Sequence, residues 1–171
     1  MKKLLLVLLF IPLISCQQES KLSNEEVMEA FESFFDLIDN DVDNISSIVT
    51  DDFYIFENSR RYSKEEFIEF VKGFDIIEVK RDFKNIDIDS DYNSAHITLT
   101  QLAEAKVNTP DGKAKMNFEW LESAYLVKEN KSIKFKFYFS EVINMSTVKI
   151  DYSLFFQLMK RPLRLVVIFV L

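Results

Sequence analysis

Residues able to do chemistry are few in this chain. Among 171 residues there is one cysteine, Cys16, and one histidine, His96. An internal disulfide and a thiolate metal cluster are therefore excluded, and a zinc site would need carboxylates almost alone. His96 shares a face of an alternating segment with Thr98 and Thr100, while Ile97 and Leu99 point the other way. An imidazole titrates near neutrality and suits a pocket acid or base; the competing reading is a surface or rim residue. Tyr54, Tyr62 and Trp120 each combine an apolar body with a polar tip, the chemistry of a small-molecule pocket wall, or else they are core. Asp51 and Asp52 read as a turn device leading into a strand rather than as a metal pair.

Cys16 has a context of its own. Lys2 and Lys3 precede an apolar run from Leu4 to Ile11, and Pro12-Leu13-Ile14-Ser15 leads to the cysteine. A basic start, a short apolar stretch and a small residue before the cut form a secretory signal. The apolar run is shorter than the roughly 20 residues a membrane span needs. The ending resembles a bacterial lipobox, which implies cleavage after residue 15 and lipidation of Cys16. The expected partner is then a lipid bilayer, reached through the acyl chains, and the expected location is the cell envelope. Gln17 after the cysteine favours the outer membrane in a cell with two membranes. Residues 16–22 read as a tether.

Composition bounds the rest. Seventeen phenylalanines, six tyrosines and one tryptophan supply a large apolar payload, and two glycines and three prolines interrupt it little. About 155 residues after cleavage suffice for one domain with its own core. The net charge is −7, with no basic stripe of the kind that follows phosphates, so nucleic acid is not an expected partner. No sequence feature calls for a cofactor.

Ser23 and Glu26 have capping-box spacing, and Val27, Ala30, Phe31, Phe34, Phe35 and Ile38 form one helical stripe. A shorter amphipathic piece carries Val42, Ile45, Ile48 and Val49. Phe53–Phe56 reads as a short strand, Asn58-Ser59 as a turn, and Ser63 with Glu66 as a second capping box opening a helix through Phe74. Four long strands follow at roughly 76–88, 94–107, 113–128 and 132–143, separated by turn-forming residues. In the last strand, Ile133, Phe135, Phe137 and Phe139 are expected to share one apolar face. The result is an α+β domain with helices on one side of a sheet.

Three segments carry a resemblance: Ile48-Val49-Thr50-Asp51-Asp52-Phe53, Ser63-Lys64-Glu65-Glu66-Phe67-Ile68 and Trp120–Glu129. Together with the element order they resemble the nuclear-transport-factor-2-like (NTF2-like) superfamily, which includes SnoaL-like and ketosteroid-isomerase-like proteins. The resemblance implies a cone of three N-terminal helices packed on a curved antiparallel sheet over residues 23–143, a deep pocket, and a homodimer through the outer face of the sheet. Residues 144–171 fall outside it. They are read as an element dipping into a membrane interface, an extra packed element, or the product of a shifted reading frame.

By the same resemblance, Glu57 falls where relatives carry a proton-shuttling base. Those relatives oppose it with a tyrosine on the first helix, where this chain has Phe34. Without that hydroxyl, the preferred expectation is that Glu57 is a solvated residue leading into the turn. The leading functional expectation is non-catalytic binding of a small apolar ligand or a protein partner by a tethered domain. The alternative is an isomerase, cyclase or hydratase with Glu57 or His96 as base.

Overall fold

A computed structural model describes residues 20–110 and 112–150. The expected signal peptide, Cys16 and most of the expected C-terminal extension lie outside the described residues. Helix α1 (Asn24–Asn40) is followed by a 3-10 helix (Val42–Ser47), strands β1 (Val49–Glu57) and β2 (Arg60–Ser63), and helix α2 (Lys64–Lys72). Four long strands complete the domain: β3 (Ile76–Ser90), β4 (Ser94–Thr109), β5 (Gly112–Glu129) and β6 (Ser132–Lys149). None of the described helices is long and apolar enough to cross a membrane.

Both capping boxes form. The Ser23 hydroxyl accepts from the Glu26 amide at 3.1 Å and Glu26 accepts from the Ser23 amide at 2.8 Å. The same exchange joins Ser63 and Glu66 at 3.3 and 2.9 Å. Each box satisfies two otherwise orphaned donors and fixes where the helix starts. The amphipathic piece after α1 is a 3-10 helix because Val42, Ile45 and Ile48 recur at steps of three, which eclipse on a three-residue turn.

The single sheet has the order β2-β1-β6-β5-β4-β3 and curves around the helices. Two features of the expected architecture are corrected. One α-helix and a 3-10 turn precede the sheet, and α2 enters only after the β1–β2 hairpin, so there are not three N-terminal helices. The sheet is mixed, because β1 runs parallel to β6. Strand β2 escapes the sequence pattern: it is four residues long and two of them are arginines. Left-handed Asn58 and Ser59 (φ 51° and 59°) make the hairpin turn between β1 and β2, the backbone form that matches strand twist.

The domain boundaries also differ from expectation. Leu22 is buried, its amide donates to the Asp91 carbonyl at 3.0 Å, and its own carbonyl accepts from Ser90 at 2.8 Å. Leu22, inside the expected tether, therefore belongs to the folded domain. Strand β6 passes residue 143 and pairs with β5 as far as Ala114 opposite Lys149.

A β-bulge decides which residues of β6 face inward. Tyr125 pairs with Phe137 but Leu126 pairs with Phe135, leaving Lys136 as the extra residue. One inserted residue shifts every following side chain to the other face. Phe135, Tyr138 and Ser140 are consequently buried at 0, 3 and 4% exposure, while Phe137 turns outward against Tyr54 and Phe56. The expected Ile133-Phe135-Phe137-Phe139 face does not exist.

The core is an aromatic cluster between α1 and this inner face. Phe34 stacks on Phe135 with centroids 4.3 Å apart and meets Phe35 edge-on at 5.7 Å. Such contacts add to the burial of large rings. Phe34→Ala removes a fully buried ring and is expected to destabilise the domain by about 3–5 kcal/mol, read by urea denaturation; a loss below about 1 kcal/mol contradicts this packing.

Candidate functional site

Register partners on neighbouring strands share a face, so the inner surface is made of rows running across the sheet. One apolar row is Ile55, Tyr138, Ala124 and Ile97. The next row is Glu57 on β1, Ser140 on β6, Glu122 on β5 and Leu99 on β4. Beyond it lie Val142, Trp120, Gln101 and Phe83. Two carboxylates thus flank Ser140, their backbones two strand spacings apart, about 10 Å, on a concave face.

Hydrogen bonds tie this row together. The Ser140 hydroxyl bonds to Glu57, and the Tyr138 hydroxyl bonds to Glu122. Gln101 is 1% exposed. The amide orientation that satisfies its neighbours places its nitrogen 3.1 and 3.2 Å from the two Glu122 oxygens, and its oxygen accepts from Arg81 Nη1 at 2.5 Å. Arg81 in turn donates to both carboxylate oxygens of Asp39, at 2.9 and 2.5 Å, and lies over the Phe35 ring at 4.6 Å. A relay runs from Asp39 on α1 through Arg81 and Gln101 to Glu122 and Tyr138. Asp39 also lines a cleft of about 340 Å³ between the C-terminal end of α1 and α2.

The electrostatics follow from burial. Glu57 is pushed up to about 7, chiefly by burial, with Ser140 opposing and the Glu141 charge adding. Glu122 is pushed up to about 8 by burial and the Glu57 charge, against the Tyr138 hydrogen bond and Arg81. Tyr138 rises above its ordinary value through burial and the Glu122 charge. Taking a carboxylate from water disfavours its charged form, and these two have little compensating positive charge.

The structure brings Glu57 and Trp120 to this surface and leaves His96 and Tyr54 elsewhere. Glu57 is half-buried and faces inward with Phe53 and Ile55, which corrects the expectation of a solvated turn residue. Trp120 adjoins the carboxylate row and stacks on Phe118 at 4.7 Å. His96 is exposed on the outer face, its Nε2 2.8 Å from the Ser123 hydroxyl. Tyr54 lies on the outer face under the Arg61 guanidinium at 4.4 Å. Tyr62 is buried against Phe70 at 5.1 Å. The outer face also exposes Phe56, Leu121 and Tyr125. Asp52 engages Thr50 and Lys136, each at 2.8 Å. Among the described residues, no group of three His, Cys, Asp or Glu is placed to hold a metal ion.

A phenol does reach the inner face, from another element, and it bonds to Glu122. Phe34 is indeed apolar, but the Tyr138 ring lies 5.3 Å from it and supplies a phenol from β6 instead of α1. Glu122 and Gln101 had a signal in the sequence: each is a single polar residue on an otherwise apolar alternation, in Trp120-Glu122-Ala124-Leu126 and Ile97-Leu99-Gln101-Ala103. Tyr138 and Ser140 had none, because the bulge reverses the face they occupy.

No protein-family profile matches the chain, and no curated relative matches it in sequence. Solved structures do match. A putative scytalone dehydratase from Novosphingobium aromaticivorans superposes with a TM-score of 0.59 at 13% identity, covering 74% of this chain and 88% of that one. Hexachlorocyclohexane dehydrochlorinase LinA-type3 from Novosphingobium barchaimii gives 0.59 at 11% identity, covering 72% and 88%. The CaMKII hub of S. rosetta gives 0.55 at 13%, covering 69% and 95%. The domain has the NTF2-like fold. At these identities the NTF2-like likeness establishes architecture, and chemistry has to be argued from the side chains.

The raised carboxyls set a pH dependence. From about pH 4.5, where the unfolded chain releases these protons, to about pH 8, the native state retains them. Stability from this source is full below that window and is lost as pH rises through it. Thermal unfolding between pH 5 and 8.5 should show Glu122→Gln losing less stability than the parent over this range. Parallel curves for the two proteins contradict a raised Glu122.

Proposed function

We propose that this chain is a lipid-anchored protein of the cell envelope whose NTF2-like domain takes a small, largely apolar molecule onto its inner face, held at its polar end by Glu57 and Glu122. The observation that carries this reading is the inward-facing row Glu57–Ser140–Glu122, set between rows in which apolar and aromatic side chains predominate. A polar row inside an apolar concavity orients a ligand, while the surrounding side chains supply burial. The anchor rests on the Lys2-Lys3, apolar-run and Ser15-Cys16 arrangement; two or more acyl chains hold a protein at a membrane lastingly.

A second reading is favoured by one specific observation. Glu57 near 7 and Glu122 near 8 stand beside a tyrosine hydroxyl. A carboxyl poised near neutrality serves as general base, and a neutral carboxylic acid with a phenol donates to a developing oxyanion. That arrangement suits an isomerase or dehydratase with Glu57 as base. The dehydratase and dehydrochlorinase among the similar structures are enzymes by name. His96, on the outer face, is not part of it.

Native mass spectrometry of the protein purified from its own cell tests the binding reading. A retained small molecule that is lost in Glu57→Gln supports it; a mass equal to the bare chain in both proteins refutes it. Cys16→Ser should abolish labelling by radioactive palmitate, and unchanged labelling refutes the anchor.

A further inference from the structure

Charges around the inner polar row do not balance. Glu57 and Glu122 stand in the same row of the concave face, on either side of Ser140, and the cations near them are already engaged. Arg81 gives two hydrogen bonds to Asp39 and one to Gln101. Arg60, the hairpin partner of Glu57, bonds to Glu66 at 2.9 Å and covers the Tyr62 ring at 4.5 Å. The further charge reaching Glu57 is another carboxylate, Glu141. On the adjoining row, half-buried Trp120 stacks on Phe118 at 4.7 Å. Aromatic faces attract cations through their quadrupole, most strongly when the site is shielded from water.

We infer that the molecule bound on this face is a small organic cation, a primary amine or similar ammonium with an apolar body, its charged head between Glu57 and Glu122 and its body against Trp120 and Phe118. The inference rests on the binding reading above and names its ligand class. Three features of the site suit such a ligand and fit a neutral or anionic one less well. Two carboxyls share the row, and the one cation whose charge reaches Glu122, Arg81, is paired with Asp39. The hydroxyls of Ser140 and Tyr138 hold those carboxyls in place and support their ionised form. The aromatic pair adds a surface that tolerates positive charge.

An ammonium placed there reverses the cause of the raised carboxyl values, because an opposite charge nearby favours ionisation. Binding is therefore coupled to proton release from Glu57 and Glu122. The groups that bear on this titration are Tyr138 and Glu141 on β6, Arg81 on β3 with its Asp39 partner on α1, and the neutral Gln101 on β4. Affinity for the cation should rise with pH between about 6 and 8.

Trp120, the only tryptophan, reports on the site. The full chain in detergent micelles is titrated with 2-phenylethylamine, 2-phenylethanol and phenylacetate, followed by Trp120 fluorescence and by calorimetry in two buffers of different ionisation enthalpy. The Glu57→Gln/Glu122→Gln double variant serves as the reference for partition into the micelle. The expected result is amine binding at least about tenfold tighter than either analogue, with proton release, and loss of that preference in the double variant. Equal or tighter binding of the alcohol or the carboxylate overturns the cation assignment while leaving a binding site in place. No response to any of the three probes overturns the assignment and the binding reading together.

Discussion

One inserted residue in β6 governs what the interior of this domain is. With Lys136 bulged out, Tyr138 and Ser140 face α1 and the outer sheet surface receives Phe137. Without the bulge, the period-two alternation would continue Phe135 into Phe137 and Phe139, and β6 would give the concavity apolar side chains in place of the two hydroxyls. The bulge gives Glu57 and Glu122 their hydroxyl partners, since each of those hydroxyls belongs to the residue that the bulge turned inward. Bulges recur where a strand must re-aim a side chain, and the polar row of this sheet exists through one.

The same row is electrostatically expensive. A buried polar group must be hydrogen-bonded, and a buried charge must be paired. Here the hydrogen bonds are made: Gln101 spans Arg81 and Glu122, and no buried side-chain nitrogen or oxygen among the described residues lacks a partner. The charge is not paired, because Arg81 faces Asp39 first. Protonation eases this at neutral pH, where Glu122 is mostly protonated and Glu57 titrates. A fold optimised for stability alone would place apolar residues there. Whether the row binds a cation or moves a proton, its chemistry comes from this unpaired state.

Much of the frame was legible in the sequence. Ser23 with Glu26 and Ser63 with Glu66 mark both helix starts, because capping boxes are local and depend on spacing alone. The long strands were visible for the same reason, as alternation between turn-forming residues. What was not legible is what depends on pairing between distant segments. The parallel β1–β6 contact, the four-residue β2 and the Lys136 bulge leave no local pattern. The site suffered accordingly. The place of Glu57 at the end of β1 is legible, but its burial is not, because the hydroxyl that bonds to it is Ser140 on β6 and not a residue at Phe34 on α1. Glu122 and Gln101 are legible as polar residues on apolar stripes, although nothing local shows that they meet. His96 and Tyr54 stand out by residue type alone, and the sheet places both on its outer face.

The central claim is that Glu57 and Glu122 titrate on the inner face near and above neutral pH. Carbon-13 NMR of the glutamate side-chain carboxyls, with assignments made through Glu57→Gln and Glu122→Gln, measures this directly across a pH titration. The account predicts two glutamates with midpoints near 7 and 8, set apart from the remaining glutamates near the ordinary value of about 4.3. Midpoints for Glu57 and Glu122 within that ordinary group would contradict it.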